Sequence, residues 1–221
     1  MLGTVDRLLA KKERLLLIDT CGDTAGVALS CGDELLVAED LARGSASAEI
    51  VAAIRRLLTQ SGLRLGDLNA IGVVNGPGSF TGTRAGLATT KGLCEATGLP
   101  MAAVSRLEVL ANAADLTDGF AALDAGRDEA YVREVSSGRE WLSAITDLKA
   151  RCHGQRIAVA EIRLQGQLEG CNPILLPLHA SDSLTAVLRR LRDGGSDVAL
   201  TDANYVRQEV DIYRKPPGAT A

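Results

Sequence analysis

Residues 70–84 read Ala70-Ile71-Gly72-Val73-Val74-Asn75-Gly76-Pro77-Gly78-Ser79-Phe80-Thr81-Gly82-Thr83-Arg84. Ala70–Val74 carries no polar side chain and ends at turn residues, which predicts a short buried strand. The glycines and proline that follow mark a loop. A helix is predicted from about Thr83 to Thr97, stopped by Gly98 and Pro100. Strand, glycine-rich loop and helix together form the unit of an α/β layer, and such a loop can offer backbone N–H groups to an anion. Spacing rejects three familiar versions of it. A Walker loop sets its glycines five positions apart and follows them with Lys, whereas Gly76 and Gly78 precede Gly82 by six and four positions and Thr83-Arg84 follows. A dinucleotide fingerprint fails on spacing too, and the next strand ends at Ser105 rather than at an acidic residue. A nucleophile elbow needs Gly two positions before Ser79, where Pro77 stands.

Upstream, Leu15–Ile18, Ala25–Ser30 and Glu34–Glu39 predict a three-stranded meander, with the tight turn Cys31-Gly32-Asp33 between the second and third. The period then changes. Ile50, Val51, Ile54, Leu57 and Leu58 share the spacing of an amphipathic helix between Ser45 and Ser61, with Ser47 as N-cap and Gly62 as stop. Met101–Val104 adds a strand, so the first half reads β-β-β-α-β-α-β. The second half is less regular. Helices are predicted at Leu107–Ala114 and Ser183–Arg192, and strands at Phe120–Leu123, Glu129–Val135, Arg156–Ala160 and Pro173–Leu176. One pattern joins the halves: Asp19, Asp23, Ala25 and Val27 recur at the same spacing as Asp124, Asp128, Ala130 and Val132. The recurrence predicts an internal duplication in which each half opens with a strand–Asp–turn–strand hairpin. Two unrelated hairpins with acidic turns are the alternative.

Composition narrows the function. The chain has 221 residues, 24 Lys plus Arg against 28 Asp plus Glu, and 46% hydrophobic residues. That length allows one large domain or two small ones and a core that needs no disulfide or metal staple. Two Phe, three Tyr, one Trp and two His are few. A base-stacking surface wants aromatics, a catalytic zinc site wants clustered His, and an acidic balance disfavours gripping nucleic acid alone. Five cysteines without a C-x-x-C pair suggest reduced thiols. The first residues lack the charge order of a secretory leader, and no apolar run approaches the ~20 residues of a membrane span. A soluble cytoplasmic protein is expected, with a disordered tail from about residue 215.

Within the helix after the loop, Ala85, Thr89, Gly92 and Ala96 form a stripe of small residues. Gly86 and Gly92 each cost about 1 kcal/mol relative to Ala in a helix, so something is expected to approach this backbone closely. The neighbouring sheet of the same chain and a partner subunit both remain open.

Leu16-Leu17-Ile18-Asp19-Thr20, the Gly76–Arg84 block with its helix through Gly98-Leu99-Pro100, Val104-Ser105-Arg106-Leu107 and Leu123–Tyr131 resemble the TsaB (YeaZ) family. The likeness is densest over residues 15–135, and Tyr205-Val206-Arg207 is similar to the family's C-terminal Tyr-x-Arg stretch. Its most specific element is the block Gly76, Pro77, Gly78, Ser79, Phe80, Thr81, Gly82, x, Arg84. The resemblance implies an α/β protein of the actin/sugar-kinase/Hsp70-like fold, two duplicated lobes with mixed sheets flanked by helices. Residues 1–106 would form the N-terminal lobe and 107–221 the C-terminal one. It implies a non-catalytic subunit in the synthesis of threonylcarbamoyladenosine beside the tRNA anticodon. Such a subunit supports a TsaD-like catalytic partner, works with a TsaE-like ATPase and meets tRNA only through the complex. Partner contact would use the helices near Ser47–Ser61 and Thr83–Thr97, with Ile50, Ile54, Ala85, Thr89, Gly92 and Ala96 as interface candidates, and weak self-association is expected through the same face.

No metal site and no cofactor are expected. A TsaD-like His-x-x-x-His helix is absent, since His153 and His179 lie far apart. A protease reading lacks both a zincin motif and a His recognisably near Ser79. Asp19, Thr20 and Asp124 would mark a vestigial nucleotide site. The chain departs from the family pattern in three places: Gly44–Ser47 lacks a His that many members carry, Cys21 replaces the Gly of a phosphate hairpin, and residues 1–13 are an extension. Gly194-Gly195 is the one candidate for an adenosine-binding glycine pair and reads more simply as a helix stop. The alternative function is a small-molecule kinase or ATPase of the same fold, with Asp19 or Asp124 holding Mg²⁺.

Overall fold

Leu15, Leu16, Leu17 and Ile18 are all completely buried, because β1 (Arg14–Asp19) runs through the middle of a five-stranded sheet covered on both faces. An unbroken apolar run is what such a strand requires. The computed structural model describes residues 13–42 and 44–206. The extension before Glu13, Arg207 of the C-terminal stretch and the tail expected from about 215 lie outside the described residues.

β2 (Ala25–Cys31) and β3 (Glu34–Leu41) complete the meander, α1 (Ala46–Gln60) follows, and β4 (Ala70–Val74), α2 (Phe80–Thr97) and β5 (Met101–Val104) close the first half. The sheet order is β3-β2-β1-β4-β5, antiparallel through the meander and parallel from β1 to β5. After α3 (Arg106–Ala113), the strands β6 (Phe120–Gly126), β7 (Glu129–Glu134), β8 (Glu140–Ala144), β9 (Ile157–Val159) and β10 (Ile174–Leu175) build a second sheet. Its order is β8-β7-β6-β9-β10, with the same succession of directions. The duplication read from four residues is thus carried by two complete sheets. This is the actin/sugar-kinase/Hsp70-like α/β fold: two duplicated lobes with mixed sheets flanked by helices.

Alternation within the central strands sorts the core into layers. Leu16 and Ile18 face α1 and α2, where Ile50, Ile54, Leu57 and Leu87 meet them. Leu15 and Leu17 face the opposite way, into a cluster that also holds Leu107 and Leu110 of α3, Val187 and Leu191 of α6 (Leu184–Arg192), and Ala121 and Leu123 of β6. Phe120, Ala122 and Val132 on the far side of the second sheet pack on α4 (Ile145–Cys152) and α5 (Ile162–Gln167) through Leu148 and Leu164. The chain also returns: α6 packs on β5 of the first sheet after the second sheet is built.

Three details differ from the sequence expectation. α1 starts after Ser45 rather than Ser47, and the Ser45 hydroxyl bonds the Ala42 carbonyl instead of capping the helix. α2 begins at Phe80, three residues early, because Ser79 Oγ accepts the Gly82 N–H and Ser79 O accepts that of Thr83. β8, α4 and α5 were not expected. They are short, and β8 is half-buried, so neither periodicity is long enough to read.

The glycines of the loop and of α2 have unequal reasons. Ser79 N–H donates to the Cys21 carbonyl at 2.7 Å, and Thr20 Oγ1 donates to the Gly82 carbonyl at 2.6 Å. At this separation a β-carbon on Gly78 would overlap the Cys21 carbonyl, on Gly82 the Thr20 carbonyl, and on Gly86 the Thr20 hydroxyl. A β-carbon on Gly92 meets nothing within 4 Å among the described residues. The approach expected from the sequence is therefore made at Gly86 by the chain itself, and not at Gly92. Gly82→Ala is expected to lose about 1–3 kcal/mol by overpacking against backbone, whereas Gly92→Ala gains up to about 1 kcal/mol of helix propensity. Urea melts of the two variants check the opposite signs.

Candidate functional site

Both lobes turn their hairpins toward one cleft. At the end of β1, Asp19 Oδ1 accepts the Cys21 N–H at 2.8 Å; at the corresponding place in β6, Asp124 Oδ1 accepts the Gly126 N–H at 2.7 Å. These two local turns leave an opening of about 550 Å³ bounded by Cys21, Gly22, Ser79, Arg106, Asp124 and Glu161, among others.

Arg106, the first residue of α3, spans the opening. Its guanidinium lies against Gly22, where a β-carbon would collide with it, and its Nη1 donates to Glu161 Oε1 at 3.2 Å. Glu161 precedes α5 and accepts the Asp124 N–H at 3.1 Å through Oε2. Arg163 pairs with Asp124 at 3.3 Å. Charge-assisted bonds thus run from Arg106, packed against the first hairpin, through Glu161 to the second. Burial pushes the Asp19 carboxyl above its ordinary range, and the Arg106 charge opposes that shift. The same two causes act on Glu161, which is also raised. Burial drives the Cys21 thiol up to about 12; it donates to the Val74 carbonyl and accepts from Thr83 Oγ1. Arg106 Nε is buried and has no hydrogen-bond partner among the described residues.

The residues singled out from the sequence separate into three groups. Asp124 lines the cleft, Asp19 is buried beside it, and the Thr20 hydroxyl is committed to the Gly82 carbonyl. In the loop, Gly76 and Pro77 are buried, Gly82 is half-buried, and Gly78, Ser79, Phe80, Thr81 and Arg84 are exposed. Of the interface candidates, Gly92 and Ala96 are exposed and Ala85 and Thr89 half-buried. Ile50 and Ile54 are a correction: they are 1% and 4% exposed and form the core under α1, since the apolar face of an amphipathic helix is the one its own sheet takes. Gly194 and Gly195 have positive φ and end α6, with Gly195 N–H bonded to the Arg190 carbonyl. Sequence reasoning missed Glu161, Arg163, Tyr131 and Asn204 as site residues, and quoted Arg106 only within the family-like stretch Val104–Leu107. No local pattern marks Glu161 or Asn204.

The C-terminal residues strap this region. Asn75 Nδ2 donates to the Asp202 carbonyl, Asn204 N–H to the Asn75 carbonyl, and Asn204 Nδ2 to Glu140 Oε2 at 2.8 Å. Tyr205 OH accepts from Arg84 Nε at 3.0 Å.

The family model for TsaD, tRNA N6-adenosine threonylcarbamoyltransferase, matches residues 40–207. The chain belongs to this family, on its TsaB (YeaZ) side. It is 36% identical over 125 residues to the Escherichia coli (strain K12) tRNA threonylcarbamoyladenosine biosynthesis protein TsaB, covering 55% of this chain and 54% of that one. With the Bacillus subtilis (strain 168) protein of the same name, identity is 35% over 121 residues, 53% of this chain and 52% of the other. The chain spans about half the length of the curated relatives it matches. A solved Pseudomonas aeruginosa protein described as similar to the peptidase YEAZ superposes with a TM-score of 0.72 at 25% identity, covering 88% of this chain and all of that one. Among the described residues no helix is long and apolar enough to cross a membrane.

Two variants test the electrostatics. Asp19 holds its proton more tightly folded than unfolded, so its contribution to stability falls as pH rises from the ordinary carboxylate range, about 3.9, through the raised folded value. Asp19→Asn keeps the acceptor for Cys21 and removes that slope, so the variant should gain on wild type between about pH 4 and about pH 7. Denaturant melts at both pH values read the difference. Arg106→Met leaves Glu161 and Asp19 without their cation and should cost about 3 kcal/mol at neutral pH, with a smaller loss in acid, where both carboxyls take up protons.

Proposed function

We propose that this chain is a non-catalytic scaffold subunit in tRNA threonylcarbamoyladenosine synthesis, and that it docks a TsaD-like catalytic subunit through the outer face of α1 and α2. The observation that carries the reading is the state of that face. Gly92 has open space above it, Ala96 is exposed, and Val51 of the neighbouring helix is 55% exposed. A flat, small-residue surface lets another helix approach its backbone closely, and no contact among the described residues accounts for the cost of Gly92. Membership of the TsaD family and the names of the TsaB relatives support the pathway. In this reading the first lobe, residues 1–106, carries the docking face, and the second, 107–221, includes the returning helix α6. A TsaE-like ATPase joins the complex in the cytoplasm, tRNA is met through the assembly, and weak self-pairing uses the same helices. Asp19, Thr20 and Asp124 keep the place of a nucleotide site across which Arg106 and Glu161 now stand.

Size-exclusion chromatography of the purified chain with its cognate TsaD-like subunit is expected to give a stable complex, and tRNA modification by that subunit is expected to need the chain. Absence of a complex would overturn the reading. Gly92→Leu, which has room within its own chain, should weaken the complex by about tenfold or more through overpacking at the interface. Unchanged affinity would move the interface off α2.

A further inference from the structure

Phe80, Tyr131 and Tyr205, half of the chain's six aromatic side chains, line one cavity between the glycine-rich loop and the C-terminal strap, together with Pro77, Thr83 and Asn204. It measures about 130 Å³ and lies beside the main cleft. Phe80 comes from the start of α2, Tyr131 from β7 of the second sheet and Tyr205 from the strap, so three distant segments are spent on bringing rings together. Two of the rings stay open: Phe80 is 59% and Tyr205 48% exposed. Their centroids are 6.5 Å apart with the planes at 42°, a tilted pair. The Arg84 guanidinium lies 3.6 Å above the Phe80 ring and is held by Tyr205 OH.

We propose that this cavity binds a nucleobase carrying a phosphate. The volume is close to the ~150 Å³ that accommodates a benzene ring in an apolar protein cavity, enough for one flat ring entering through the open side. Aromatic faces stack bases with little regard to their identity. Unpaired RNA bases are held in this way, on aromatic rings and arginine planes. Arg84, stacked on the Phe80 ring that lines the cavity, supplies the cation that a phosphate seeks. The ligand is either a free mononucleotide or an unpaired nucleotide of an RNA chain. The second source rests on the proposed role in tRNA modification, while the binding test uses the isolated chain and does not depend on complex formation.

Phe80 and Phe120 are the only phenylalanines, and Phe120 is buried in the second lobe. Uniform 4-fluorophenylalanine labelling therefore gives one ¹⁹F resonance at the cavity and one internal reference for folding. Titration with UMP or CMP, and separately with a short single-stranded oligouridine, should move the Phe80 resonance and leave Phe120 in place. Tyr205→Ala should weaken the binding by about tenfold or more, the usual effect of losing one stacked ring, while Tyr205→Phe retains it. Arg84→Met should lower affinity and flatten its dependence on salt by about one phosphate contact. A shift with RNA alone assigns the site to an RNA chain; a shift with the mononucleotides assigns it to a free nucleotide. No movement with either, an equal response to tripolyphosphate, or indifference to Tyr205→Ala with the Phe120 signal intact overturns the proposal.

Discussion

The loop after β4 and the hairpin after β1 meet backbone to backbone, and much of the molecule follows from that contact. The Cys21 carbonyl takes the Ser79 N–H and the Gly82 carbonyl takes the Thr20 hydroxyl. A side chain at Gly78 or Gly82 would break the approach. Once it is made, the direction of α2 is set, because its first turn is pinned to the end of the central strand. Phe80 and Arg84 are then carried to the surface, and Gly92 to the open outer face. The block that looks like a phosphate loop by composition therefore uses its glycines to admit another part of the same backbone.

Across the cleft the second constraint is electrostatic. Arg106 is nearly buried, lies against Gly22 and pairs with Glu161, which in turn holds the Asp124 N–H. Each lobe supplies carboxylates and the end of the first supplies the cation, so the two hairpins are linked through a single guanidinium. Buried pairs of this kind add little net stability relative to an apolar filling, yet are costly to leave half-made. They fix geometry. The raised carboxyls of Asp19 and Glu161 are the trace of that balance, with burial winning over the attraction of Arg106.

The scarcity of aromatic and histidine residues acquires a location. His153 and His179 are exposed and far apart in the chain, and His179 pairs with Asp40 at the surface. Phe120 and Trp141 meet edge to face in the second lobe. The remaining described rings gather where the loop, β7 and the C-terminal strap converge. A composition that argued against a broad stacking surface is compatible with one small stacking cavity, because three rings are enough to line it.

Much of the fold was legible in the chain. Apolar runs placed β1, β4 and β5, the amphipathic period placed α1, and the recurrence of Asp19 and Asp124 with their Ala and Val partners announced two equivalent lobes. These signals are local or repeat, so they survive without knowledge of what packs where. The face of α1 that carries Ile50 and Ile54 was legible as apolar, but not that its own sheet would take it. β8, α4 and α5 were hidden because short elements do not complete enough periods to be told from loops. Only the tertiary structure decided the working surface. Arg106 meets Glu161, Asn204 meets Glu140 and Asn75, and Tyr131 meets Phe80 and Tyr205 around one cavity. Each of these meetings joins residues from different elements, and their positions relative to one another follow from how the two sheets and α3 and α6 stack, which no spacing within a single segment encodes.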